Sequence, residues 1–81
     1  MNTRRRTWRV RSSHDLGLAI KELRHSRNLD QKEVAEALRM DRTYLSRLEG
    51  GHKSILLERL LRVLRHLGAE ITISWTDNPD A

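Results

Sequence analysis

Apolar residues recur at helical spacing through most of this chain and alternate only near its two ends. Leu16, Ala19, Ile20 and Leu23 fall on one face of a helix that starts after Ser12 or Ser13 and ends near Asn28. Asp30 is a suitable N-cap for a second helix. Glu33 stands three residues on, as a capping box requires, and Leu29 and Val34 occupy the positions of a hydrophobic staple. Asp41 repeats the signal for a third helix, with Met40 before it and Leu45 at the staple partner's position. A cap contributes about 1 kcal/mol, so two caps and two staples specify two helices here rather than one, with a tight turn through Arg39 and Met40. A fourth helix is predicted over residues 54–67, closed by Gly68. Its leucines are too numerous for one face: Leu57, Leu60, Leu61 and Leu64 form one stripe, and Leu56, Leu60, Val63 and Leu67 a second, offset one. So wide an apolar arc implies burial on two sides.

The period changes to two in "EITISW", where Ile71, Ile73 and Trp75 point one way and Thr72 and Ser74 the other. A lone strand leaves its backbone groups unsatisfied and requires a partner. "TWRVR" near the N-terminus, with Trp8 and Val10 alternating, is one candidate; the same strand of a second copy is the other. The expected architecture is mainly α, a compact four- to five-helix domain with a short C-terminal strand and a possible N-terminal one. Residues 1–11 read as a basic arm with a short strand, 12–68 as the helical domain, and 69–81 as a dimerisation strand and tail.

Composition narrows the function. The chain has 81 residues, a formal charge of +5 and no cysteine, which excludes disulfides and thiolate metal sites. Its pI of about 10.7 suits a polyanionic partner. The apolar clusters are short and broken by charge, so no membrane span is expected, and the basic N-terminus has no apolar segment behind it to make a secretory signal. A cytoplasmic location is therefore expected. His14, His25, His52 and His66 share no metal-ligand spacing with one another or with a carboxylate on the same face. There is no phosphate-cradling Gly loop and no recognisable nucleophile arrangement. The expectation is a non-enzymatic protein without metal or cofactor. Trp8, Tyr44 and Trp75 are few for RNA recognition, which relies on stacking aromatics.

The segment from Gln31 to Glu49 resembles the helix-turn-helix of the Xre family, the phage lambda-type repressors. Val34, Ala35, Leu38, Met40, Leu45 and Leu48 stand at the family's apolar positions, and "RLEGG" matches the ending of its recognition helix. Ala35 has a steric reason, because two helices that cross after a tight turn leave little room there. The resemblance implies a recognition helix that enters the DNA major groove. With Leu45 and Leu48 facing inward, Arg42, Thr43, Arg47 and Ser46 are left outward as base readers; Arg suits guanine, and Thr or Ser a base edge or thymine methyl. Phosphate contact alone is the other reading of Arg42 and Arg47. Tyr44 either lies against the sugar-phosphate or covers the core edge. The resemblance assigns Gln31 to a phosphate, and Lys32, His52 and Lys53 are placed to neutralise flanking phosphates. It also pairs Arg24 with Glu49 as a structural salt bridge. Arg4, Arg5 and Arg6 form either a minor-groove arm or a solvated tail. Family members usually carry Gly where this chain has Arg39. Either Arg39 adopts the left-handed conformation at a cost of roughly 1 kcal/mol, or the turn differs and the recognition helix is re-angled.

The ending "LLRVLRHLGAEITISW" is similar to HipB-type antitoxins and repressors, in which a C-terminal strand pairs across a homodimer. That resemblance implies a dimer interface through Leu56, Val63, Leu67, Ile71, Ile73 and Trp75. It implies a palindromic double-stranded DNA operator and a HipA-type kinase as toxin partner. A stand-alone Xre-type regulator without a toxin is the alternative.

Overall fold

The computed structural model describes residues 4–77. Strand β1 (Arg5–Val10) is followed by four helices, α1 (Ser13–Ser26), α2 (Gln31–Leu38), α3 (Arg42–Glu49) and α4 (Ile55–His66), and by strand β2 (Ile71–Thr76). Among the described residues no helix is long and apolar enough to cross a membrane.

Each helix begins at a short polar residue whose side chain takes an otherwise unpaired backbone N–H. Ser12 accepts from Asp15 N, Asp41 from Thr43 N and Ser54 from Leu57 N. Asp30 and Glu33 form a full capping box, with bonds of 2.7 and 3.0 Å running in opposite directions. The turn between α2 and α3 keeps the left-handed geometry. Arg39 lies at φ 53°, ψ 46°, and the Met40 N–H donates to the Ala35 carbonyl at 2.8 Å. Of the two alternatives for Arg39, the chain takes the left-handed one.

The two strands pair antiparallel within the chain, and the register sets Val10 opposite Ile71, Trp8 opposite Ile73 and Arg6 opposite Trp75. These residues share the inner face. The outer face carries Arg5 against Thr76, Thr7 against Ser74 and Arg9 against Thr72. The intrachain candidate is therefore the partner of "EITISW". The sheet draws the first and last described residues together: Asp77 N–H donates to the Arg4 carbonyl at 2.9 Å. Arg27, just past the end of α1, donates through Nη1 to the Thr76 carbonyl at 2.6 Å and ties the sheet to the helices.

Three expectations are corrected here. Arg5 and Arg6 belong to β1, with Arg5 Nη2 donating to Ser74 Oγ at 3.1 Å and Arg6 lying over the Trp75 ring. They are sheet residues and not part of a free arm; Met1 to Thr3 lie outside the described residues. Trp75, expected at a subunit interface, is only 7% exposed within one chain, and Ile71 and Ile73 are half-buried. Their apolar area is largely spent within the chain, because pairing with β1 sets them on the inner face of a sheet that packs against α1. Leu38, expected among the inward positions of the helix-turn-helix, is 62% exposed at the last position of α2, where the chain turns away through Arg39.

The core is thin. Val10, Ala19, Ala35, Leu45, Leu61 and Trp75 are its buried apolar residues among those described. The radius of gyration is 14.0 Å and the extents are 39 × 32 × 16 Å. A compact chain of this length would have a radius near ~12 Å. The domain is a flat slab, and α4 lies at its margin. Leu57, Leu61 and Leu64 turn towards the core, whereas Leu56, Leu60, Val63 and Leu67 remain exposed. Leu60, counted in both stripes of the sequence pattern, thus belongs to the outer one.

Candidate nucleic-acid interface

α3 is short, and the core determines which of its sides faces out. Leu45 is 4% exposed, Leu48 is half-buried and Glu49 is buried. Rotation by helical spacing from these anchors leaves Arg42, Thr43, Ser46 and Arg47 exposed on the opposite side. Tyr44 is exposed as well. The face offers two guanidinium groups and two hydroxyls, the donor and acceptor types that read base edges in a major groove. Among the described residues none of the four has an intramolecular side-chain partner that would restrain it.

A buried ionic cluster behind α3 holds it in place. Arg24, on α1, donates through Nε to Glu49 Oε2 at 2.7 Å and through Nη2 to Oε1 at 2.8 Å. Its remaining Nη1 donates to the Leu29 carbonyl at 2.7 Å, at the entry to α2. Gln31, the first residue of α2, donates through Nε2 to Glu49 Oε1 at 3.1 Å. The side chains of Arg24 and Glu49 are 10% and 3% exposed, so three helices meet on one desolvated ion pair. The hydrogen bonds from Arg24 hold the Glu49 carboxyl below its usual range against the opposing effect of burial, with further help from Gln31. The same bond raises the Arg24 guanidinium further.

Gly17 completes the brace, and the helical pattern alone does not reveal why. A Cβ at Gly17 would overlap the Leu48 carbonyl oxygen and stand 2.8 Å from the Glu49 carbonyl oxygen. α1 therefore passes against the C-terminal end of α3 at a distance that only glycine allows. Gly51, at φ 78°, then turns the chain away from α3, where a Cβ would meet His14 Cα at 2.9 Å.

The residues expected to contact phosphate fall into two groups. Lys32, His52 and Lys53 are exposed at either end of the α2–α3 unit. Gln31 is half-buried, with one amide N–H engaged by Glu49. That bond fixes its rotamer at the N-terminus of α2 and leaves its second amide N–H pointing elsewhere. Among the described residues no cluster of three or more His, Cys, Asp or Glu side chains could hold a metal ion.

The family profile described as a helix-turn-helix domain matches residues 15–72, from the first turn of α1 into β2. The chain belongs to this helix-turn-helix family. It is also 36% identical over 58 residues to the "ImmF control region 10 kDa protein" of Bacillus phage phi105, a match that covers 72% of this chain. The chain spans 64% of the length of that curated relative. No solved structure matches significantly. The family match runs from within α1 to the start of β2 and so includes Arg24, Gln31, α3 and Glu49 together. Membership in the helix-turn-helix family accounts for the abrupt turn at Arg39: it separates a bracing helix from a displayed one.

Proposed function

We propose that this protein is a sequence-specific DNA-binding transcriptional repressor that acts as a homodimer on an inverted-repeat operator. One observation carries the reading. Arg42, Thr43, Ser46 and Arg47 are displayed together on a helix whose other side is locked by Leu45 and the Arg24–Glu49 pair. Arg42, Thr43, Ser46 and Arg47 read bases; Gln31, Lys32, Tyr44, His52 and Lys53 contact the backbone and set register and affinity. The protein is a regulator and not an enzyme, and it works in the cytoplasm, where its operator lies.

Dimerisation is supported by the outer face of α4. Leu56 and Leu67 are 80% and 72% exposed, with Val63 between them, on a chain flatter than its length requires. Two α4 helices packed together would cover these residues, and the two α3 helices would then read half-sites about 34 Å apart. The similarity to a protein of a phage control region supports the regulatory reading. The sequence resemblance of "LLRVLRHLGAEITISW" to HipB-type proteins supports a narrower form of it, although β2 pairs within the chain: an antitoxin that represses its own operon and restrains a HipA-type kinase. Co-purification with the product of the neighbouring reading frame separates that form from a stand-alone regulator: a bound kinase-like protein selects the antitoxin.

The DNA reading is tested by selecting duplexes from a random library and comparing wild type with Arg47→Ala. Loss of about 1–3 kcal/mol on the selected sequence, with relaxation at one base position, is the expected result. Equal losses on selected and random duplexes would reduce Arg47 to a phosphate contact, and failure of the wild type to select any sequence would overturn the proposal.

A further inference from the structure

Four described residues sit at positive φ. Asn28 (55°), Gly51 (78°) and Gly68 (78°) are of the types that accept this backbone at little cost. Arg39 (53°) is not. At this position the Cβ crowds the neighbouring carbonyl, and any branched or long side chain carries that strain. Strain of this kind persists where something outside local geometry rewards it. Among the described residues nothing does so through a specific bond. Arg39 is exposed, and among the described residues its guanidinium has no hydrogen-bond or ion-pair partner. A cation at the C-terminal end of α2 gains from the helix dipole, but such a gain is available to any cation in the last turn and does not require the one left-handed residue.

The position of Arg39 supplies the reward. It lies three residues ahead of Arg42, so at most about 10 Å of chain separates it from the start of the face that displays Arg42, Thr43, Ser46 and Arg47. We propose that Arg39 is a DNA-backbone contact: its guanidinium grips a phosphate beside the bases that α3 reads, and this contact keeps an arginine where the fold by itself favours glycine. The inference rests on the DNA-binding reading above and adds a residue to it. A phosphate contact is indifferent to sequence and releases condensed counterions, so its signature is electrostatic.

The experiment measures affinity for a random-sequence duplex over a range of salt concentrations, together with thermal melting. It uses the full chain and Arg39→Gly, Arg39→Asn and Arg39→Lys. Glycine and asparagine both accept the left-handed turn without the charge, and asparagine guards against an effect of glycine's flexibility. Arg39→Gly should melt at or above the wild-type temperature, yet bind the duplex roughly tenfold more weakly at low salt. The slope of log K against log salt should fall by about 0.9, the loss of one phosphate. Arg39→Asn should bind as Arg39→Gly does, and Arg39→Lys should keep the wild-type slope. Wild-type affinity and slope in Arg39→Gly would overturn the contact and leave the dipole as the whole role of the charge. If Arg47→Ala still lost specificity in that case, the DNA reading would stand without Arg39; if the wild type bound no duplex, both would fall.

Discussion

Arg24 and Glu49 lie 25 residues apart in sequence and meet side by side, two nitrogens on two oxygens, in a place where water scarcely reaches either. Their geometry is that of the strongest class of ion pair, a planar fork on a planar carboxylate. Through the Leu29 carbonyl and Gln31 the same cluster holds α2. The orientation of α3 relative to the rest of the domain therefore depends on one charged contact more than on any single apolar one.

Removal of one partner leaves the other buried and unpaired. Arg24→Ala or Glu49→Ala is expected to lower stability by about 3–5 kcal/mol, enough to unfold much of a domain this small. Arg24→Ala combined with Glu49→Ala should lose markedly less than the two single changes added together, because no charge is left behind. Urea titrations followed by circular dichroism measure all three. A strictly additive double variant would mean that the pair is not coupled as the distances imply.

Acid acts on the same contact. The Glu49 carboxyl is held below its unfolded value, which is near ~4.3 for glutamate. The folded state thus binds the proton less readily than the unfolded state. The stabilisation is fully present above that unfolded value and is lost as pH falls through the depressed folded one. Melting temperatures of wild type and Glu49→Gln, measured from neutral pH downward, should draw together only below the unfolded value, as pH falls through the depressed folded one. A gap that stays constant through the acid range would refute the ionic origin of the stabilisation.

Gly17→Ala inverts a general rule. Inside an exposed helix this change stabilises by roughly 0.5–1 kcal/mol. At Gly17 the new methyl would strike the Leu48 and Glu49 carbonyls, so destabilisation of about 1–3 kcal/mol is expected, with DNA affinity falling as α3 is pushed from its seat. Chemical denaturation gives the sign directly, and a stabilised Gly17→Ala would show that α1 and α3 are farther apart.

Leu56→Asp should separate monomer stability from association. The side chain is largely exposed in one chain, so the monomer loses little, whereas a dimer built on the outer face of α4 would bury a charge. Light scattering at matched concentrations should report a monomer. A variant that still scatters as a dimer would move the proposed interface off this face of α4.

The helices could be located from the sequence because their signals are local. Asp30 with Glu33, and Asp41 with its flanking residues, mark starts that no tertiary contact needs to explain. The role of Gly17 could not be read in that way, since its reason lies in carbonyls 31 and 32 residues further along. Alternation in "EITISW" identified a strand but could not choose its partner, because either candidate would satisfy the same backbone groups. The choice then decided the fate of Trp75: pairing with β1 buried it inside the chain and left the outer α4 leucines as the main exposed apolar surface. The cluster of Arg24, Gln31 and Glu49 was legible only as a pair by resemblance. The part of Gln31 in it, and the burial that gives the pair its weight, required the packed helices.

The register of the sheet has a consequence for how the protein matures. That register joins Arg5 to Thr76, nearly the longest separation the chain allows, whereas the α2–α3 unit closes through contacts a few residues apart. Distant partners are entropically slow to find each other, and near ones are fast. On a ribosome the α2–α3 unit should reach its final shape while the strand that completes the slab is still being synthesised. Kinetic analysis of Trp8→Ala would register this as accelerated unfolding with little change in folding rate.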